Sequence, residues 1–264
     1  MKPTVQAVMD ALIKPVGRLE RTVDTLKFGD PGMEVTGIVT TFMPTRQVIE
    51  QALKRKANLV IAHEGLFFSH EDDGAAGGED FICQTKKQFI EESGIAVFRF
   101  HDYWHRYQPD GITDGLIREL AWDDYVSVHH PSASLLNIPP ASLQEIAEHV
   151  KQRLGISHVR IIGDMNMSCN RIGILAGYRG HGSMAIPLFE KEQVELVIYG
   201  EGHEWETPEH VREAVRQGVR RALLVLGHAE SEEPGMKALA VRLAAMFPGI
   251  PVDYIKEDPL FRLV

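Results

Sequence analysis

Apolar positions along the chain fall into two alternating rhythms. The runs EVTGIVTTF (Glu34–Phe42), NLVIA (Asn58–Ala62) and IAVFRF (Ile95–Phe100) are rich in β-branched and aromatic residues, which predicts strands. Between them Val48, Ile49, Ala52 and Leu53 keep helical spacing behind Pro44 and Thr45. A second helix is predicted from Phe81 to Ser93, closed by Gly94, and an opening one over Pro3–Ile13. Further strands are expected at Val159–Ile162, Arg171–Ala176, Val194–Tyr199, Ala222–Leu226 and Pro251–Ile255. Further helices fit 110–120, 141–154, 207–217 and 234–247. Strands alternating with helices in this way predict an α/β protein of two lobes, each with a mixed, largely parallel sheet. Residues 15–33 read as loop, as does the acidic, glycine-rich stretch 70–80. An irregular stretch within 123–142, containing HHPSASLLNIPP, marks the expected seam between lobes 1–125 and 126–264.

Composition narrows the classes. With 44% hydrophobic and 25% charged residues, 264 residues make an ordinary globular chain and exclude intrinsic disorder. The two cysteines, Cys83 and Cys169, form no CxxC pair, so neither a cysteine zinc finger nor a disulfide scaffold is expected, and a reducing compartment fits. Asp10 and Lys14 interrupt the N-terminal apolar positions, which argues against a signal peptide. No run approaches the roughly 18 apolar residues of a membrane span. A cytoplasmic protein without a membrane partner is expected. The balance of 28 basic to 37 acidic residues, −9 overall, repels nucleic acid. The one basic cluster, Lys54-Arg55-Lys56, suits a helix C-terminus.

The unusual count is twelve histidines, several of them at the ends of apolar runs. Strand 58–62 runs into His63-Glu64, and strand 95–100 into His101-Asp102 with His105 beyond. Strand 194–199 runs into Gly200-Glu201-Gly202-His203, and strand 222–226 into Gly227-His228 with Glu230, Glu232 and Glu233 behind. Ligands of open α/β sheets bind outside the carboxyl ends of the strands. Imidazoles and carboxylates gathered there suit zinc, iron or manganese, and the pool is large enough for two ions. A dinuclear site would polarise a bound oxygen and generate hydroxide near neutral pH. Hydrogen-bonded loop histidines are the alternative.

Three stretches carry a family resemblance. VTGIVTTFMPTRQVIEQALKRKANLVIAHEGLFF (Val35–Phe68), GIAVFRFHDYWHRYQPDGITDGL (from Gly94) and LLVLGHAESEEPGMKALAVRL (from Leu223) resemble, in order, three motifs of the GTP cyclohydrolase 1 type 2 family, the Nif-three-like dinuclear-metal proteins. Similarity runs from about Val35 to Pro259. The resemblance implies five metal ligands: His63, Glu64, His105, His228 and Glu232. His63, His228 and Glu232 match the family pattern, whereas Glu64 stands for a histidine and His105 for an aspartate. The two exchanges leave three imidazoles and two carboxylates. His101 matches a family histidine and is either a direct ligand or a residue that orients one. Glu201 matches an acidic position, where it would orient a ligand imidazole, act as general base, or merely cap the next helix.

The resemblance further implies two divalent ions, a metal site at the strand ends between the lobes, and ring-like, hexameric homo-oligomers. Its implied activity is metal-dependent hydrolysis of a nucleotide-like, phosphoester or amide small molecule through a metal-bound hydroxide. The alternative is a metal-binding or metal-handling oligomer without catalysis. Other features carry less. Gly177, Gly180 and Gly182, with Arg179 and His181 between them, read as a strand-to-helix turn with a phosphate cradle as the alternative. His203 is followed by a predicted helix start, and His129-His130 reads as loop. Arg99 is expected only to flank the core, Asp114 to cap a helix, and Asp72-Asp73 to be solvated.

Overall fold

In the computed structural model, residues 2–71 and 80–262 are described; Asp72 and Asp73 lie outside them. The chain divides into two compact units, residues 1–107 with 236–264, and residues 108–235. The expected seam within 123–142 instead lies inside the second unit.

The first unit contains α1 (Val5–Ile13), β1 (Leu26–Phe28), β2 (Ile38–Thr41), α2 (Arg46–Lys54), β3 (Leu59–Ala62), α3 (Phe81–Ser93), β4 (Ala96–Arg99) and α4 (Asp102–His105). The second contains α5 (Gly111–Glu119), β5 (Val126–His129), β6 (Ser134–Ser142), α6 (Leu143–Leu154), β7 (Arg160–Ile162), β8 (Ser168–Leu175), α7 (Gly182–Glu190), β9 (Leu196–Tyr199), α8 (Thr207–Arg216) and β10 (Ala222–Val225). Helix α9 (His228–Met246) starts in the second unit and ends in the first, which also holds β11 (Val252–Tyr254).

The first sheet runs β1-β4-β3-β2-β11 and is parallel except for the antiparallel edge β1. Every residue of β2, β3 and β4 is buried, as expected of central parallel strands covered on both faces. Val39, Val60 and Val97 pack there with Val48, Ile49 and Ala52 of α2 and Ile90 of α3. Thr45 caps α2 by accepting from Val48 N, and Gly94 closes α3 in the left-handed conformation that favours glycine. The register pairs Thr41 with Ala62 and Ala62 with Arg99, so β3 and β4 end level with each other. His63 and Phe100 are therefore the first residues past neighbouring strand ends.

The second sheet runs β5-β6-β8-β9-β10-β7. Its centre, β8-β9-β10, is parallel, and its flanks β5, β6 and β7 pair antiparallel. Leu175, Tyr199 and Val225 lie in register, which sets the loops after β8, β9 and β10 along one edge. Ser142 and Glu145 form a reciprocal capping box at the start of α6.

One helix start and one helix cap differ from expectation. α9 begins at His228 rather than at 234, with Pro234 inside it. Proline there costs one i→i−4 hydrogen bond, which a long helix tolerates. α5 is capped by Asp110, whose carboxylate accepts from Ile112 N and Thr113 N. Asp114 instead pairs with Arg118 one turn on, at 2.7 Å.

Candidate metal centre

In the first unit the strand ends bring four of the expected residues together. His63 N donates to Thr41 O and Phe100 N to Ala62 O, so the ladder continues one residue beyond β3 and β4. Past that point the chain turns into α4, which places His101 and His105 four residues apart, one helical turn. The rings of His63 and His101 stack at 4.5 Å, and His105 lies edge-on at 5.0 Å from His63 and 4.9 Å from His101. One ring nitrogen from each of the three lies within 4.8 Å of those of the other two.

Hydrogen bonds prepare these rings as ligands. His63 Nδ1 lies 3.3 Å from Phe100 O, a carbonyl that only accepts, which places the proton on Nδ1 and the lone pair on Nε2. His101 Nδ1 lies 3.1 Å from Asp102 Oδ1, a carboxylate–imidazole pair of the kind that orients metal-binding histidines. Burial, reinforced by the neighbouring His63, pushes the His101 imidazole down to about 4. Its hydrogen bond to His101 holds the Asp102 carboxyl well below the usual carboxylate range. At neutral pH His101 is thus uncharged, the form a metal requires.

Two further residues hold this arrangement in place. Asp24 is buried and accepts from the backbone N–H groups of His101, Asp102 and Tyr103 at 2.8, 3.0 and 2.8 Å, capping the start of α4. Arg99, expected only to flank the core, is fully buried. Its Nε donates to His63 O at 3.3 Å, its Nη2 to Glu64 Oε2 at 3.2 Å, and its Nη1 to His70 O. One guanidinium therefore ties the loop after β3 to β4. Glu64 Oε1 lies 3.7 Å from His101 Nε2.

The second unit carries the other three residues. His228 and Glu232 stand one turn apart on α9, with His228 Nε2 3.2 Å from Glu232 Oε2. Glu201, on the loop after β9, places Oε1 2.8 Å from His228 Nδ1. That bond orients the His228 ring and lowers the Glu201 carboxyl. Ser231 is buried, accepts from Gly177 N and donates to His228 O, each at 2.8 Å. A Cβ on Gly177, whose φ is +66°, would lie 2.0 Å from Glu232 Oε1. Gly177 is there because the loop runs against the carboxylate, and the stretch beyond it leads into α7 as a strand-to-helix turn. His203 places Nε2 2.7 Å from Tyr178 Oη and stacks its ring on Trp205. His129 belongs to β5.

The donor chemistry fits a divalent ion: imidazoles, those of His63 and His101 oriented by hydrogen bonds, with carboxylates beside them. His63, His101 and His105 would hold it in the first unit. Sequence reasoning missed Asp24, Ser231 and the role of Arg99, and named Asp102 as a polar strand-end residue without its role in orienting His101. Only Asp102 gave a signal, its place directly behind His101.

A GTP cyclohydrolase 1 type 2 homolog of Clostridium perfringens is 24% identical over 217 residues, 79% of this chain and 78% of the relative. One of Clostridium acetobutylicum is 22% identical over 227 residues, covering 83% and 80%. The crystal structure of Staphylococcus aureus hypothetical protein SA1388 superposes with a TM-score of 0.77 at 18% identity over the full length of both chains. A Bacillus cereus protein related to NIF3 gives 0.74 at 14% identity, again over both full lengths. The profile of one family matches residues 9–259, nearly the whole chain, and the protein belongs to that family, Duf34/NIF3 (NGG1p interacting factor 3).

Proposed function

We propose that this protein is a metal-dependent hydrolase that uses two divalent ions on a nucleotide-like, phosphoester or amide substrate. The observation that carries the reading is the cluster of His63, His101 and His105, with ligand nitrogens within 4.8 Å of one another. The family resemblance adds Glu64, His228 and Glu232 to the ligand set. When bound, such ions supply Lewis acidity and an activated water at neutral pH.

The protein's own groups set the site up. Phe100 O and Asp102 orient His63 and His101. Arg99 holds one oxygen of Glu64, and Asp24 fixes the start of the helix that carries His105. Glu201 orients His228 through Oε1, and we assign it also to proton transfer during hydrolysis. A homo-oligomer, hexameric by family resemblance, belongs to the same reading, and molar mass in solution tests it.

The experiment is a panel of phosphoesters, nucleotides and cyclic amides assayed with metal-loaded protein, wild type beside Glu201→Gln. The amide oxygen of glutamine still accepts from His228 Nδ1, so the variant keeps its metal. Turnover in wild type that falls at least about 100-fold in the variant supports the reading. Metal binding without turnover across the panel supports a metal-handling protein instead. That second reading is favoured by one observation: Glu64, which stands where the family pattern has histidine, has one oxygen committed to Arg99.

A further inference from the structure

The first unit holds a second donor group, one member of which, His70, belongs neither to the strand-end pattern nor to the resemblance. Glu64, His70 and His101 each offer one ligand atom, and these three atoms lie within 4.8 Å of one another. We propose that they form a divalent-cation site, with His70 supplying the imidazole that position 64 does not. This rests on the metal-dependent reading above and adds a ligand to the same centre.

Four observations argue for it. His70 is exposed, yet its backbone is anchored, because buried Arg99 donates to His70 O. The loop from His63 to His70 is thus pinned at both ends by one guanidinium, which also donates to His63 O. Glu64 gives Oε2 to that guanidinium, while Oε1 faces His101 Nε2 at 3.7 Å. That is too long for a hydrogen bond, and a cation between two acceptors would bridge it. The rings of His70 and His101 meet edge-on with centroids 5.0 Å apart. Finally, Asp102 holds the Nδ1 proton of His101, so Nε2 is the nitrogen available to this group.

The donor set, two imidazoles and one carboxylate, suits zinc, iron or manganese. The repulsion of Arg99 for a cation is offset by the Glu64 carboxylate paired with it. Its contact to His70 Nδ1, at 3.4 Å, is long and weak. His101 is common to both donor groups and has one available nitrogen. When it closes the His70 group, His63 and His105 are left to the second ion of the proposed pair.

The test uses full-length apoprotein and zinc. Zinc per chain is measured after equilibrium dialysis, and affinity by competition with a chelating dye, for wild type, His70→Ala and His63→Ala. The expected result is that His70→Ala weakens one class of zinc site by more than about 100-fold, beyond what loss of an outer hydrogen-bond partner costs. In wild type, the ring nitrogens of His70 should shift in NMR spectra when zinc is added. If His70→Ala keeps wild-type zinc affinity and those nitrogens stay put, while His63→Ala loses zinc, this proposal fails and the metal-dependent reading survives. If every class weakens equally and the melting temperature drops with it, His70 is structural and the proposal also fails. Wild type that takes up no zinc, iron or manganese overturns both.

Discussion

Replacing Arg99 with methionine tests whether the loop that carries His63, Glu64 and His70 depends on one buried cation. The methionine fills much of the same space but removes the donor contacts to His63 O, to Glu64 Oε2 and to His70 O, and the longer one to His70 Nδ1. Arg99 is fully buried and the Glu64 side chain is 17% exposed, so solvent replaces little of what is lost. Removing one partner of a buried ion pair costs about 3–5 kcal/mol. The two carbonyls would each add about 1–3 kcal/mol if they found no water, but costs within one network do not add. A total near 4 kcal/mol corresponds, at about 2–4 °C per kcal/mol for a chain of this size, to a fall of about 8–16 °C in melting temperature. Differential scanning calorimetry of metal-free protein measures it. Much of the cost is the uncompensated Glu64 carboxylate, so Arg99→Met/Glu64→Gln should melt above Arg99→Met. A single variant that melts within about 2 °C of wild type, or a double variant whose loss is the sum of the two single losses, refutes the reasoning.

Gly177→Ala should destabilise the second unit by about 1–3 kcal/mol, because a Cβ would enter the Glu232 carboxylate and φ of +66° strains any other residue. Thermal melts and zinc content should fall together, and an unchanged zinc content would contradict the packing argument. The capping box makes a pH prediction. Hydrogen bonds from Ser142 N, then Ser142 Oγ, hold the Glu145 carboxyl below its ordinary value. Its folded form therefore binds fewer protons than the unfolded chain, so its stabilisation is present above the ordinary glutamate range and lost as pH falls through the lowered folded value. Wild type should melt above Glu145→Gln at pH 7, with the gap closing by pH 3; a gap that widens toward acid would invert the sign.

The sequence disclosed those parts of the site whose signal is local. NLVIA ends where β3 ends and IAVFRF one residue past the end of β4, so His63 and His101 were legible as strand-end residues. β1 was not legible, because three half-buried residues at a sheet edge carry no periodicity. β6 was hidden by Pro139 and Pro140, which cannot donate to a ladder and which coincide with a break in its register with β8. Pro234 likewise suggested a helix start and hid the first turn of α9, the turn that puts His228 and Glu232 on one face. The residues that support the ligands were harder still. Asp24 acts on backbone N–H groups 77 to 79 residues away, and no spacing in the sequence announces such a contact.

Arg99 shows why charge pattern alone misleads. In β4 it follows Ala96, Val97 and Phe98, and an arginine at the end of an apolar run ordinarily reaches for water. Here its three acceptors, His63 O, Glu64 Oε2 and His70 O, all come from the loop after the neighbouring strand, whose path only the β3–β4 register fixes. The same register shows how a carboxylate is accommodated at position 64. A carboxylate at 64 is matched by a buried guanidinium directly across the strand pair, whereas a histidine there would leave that guanidinium without its countercharge. Glu64 and Arg99 therefore act as one physical unit. Exchanging both, Glu64→His with Arg99→Met, should be better tolerated than Glu64→His alone, and the double variant's zinc affinity would then show how far His70 is needed once position 64 offers its own imidazole.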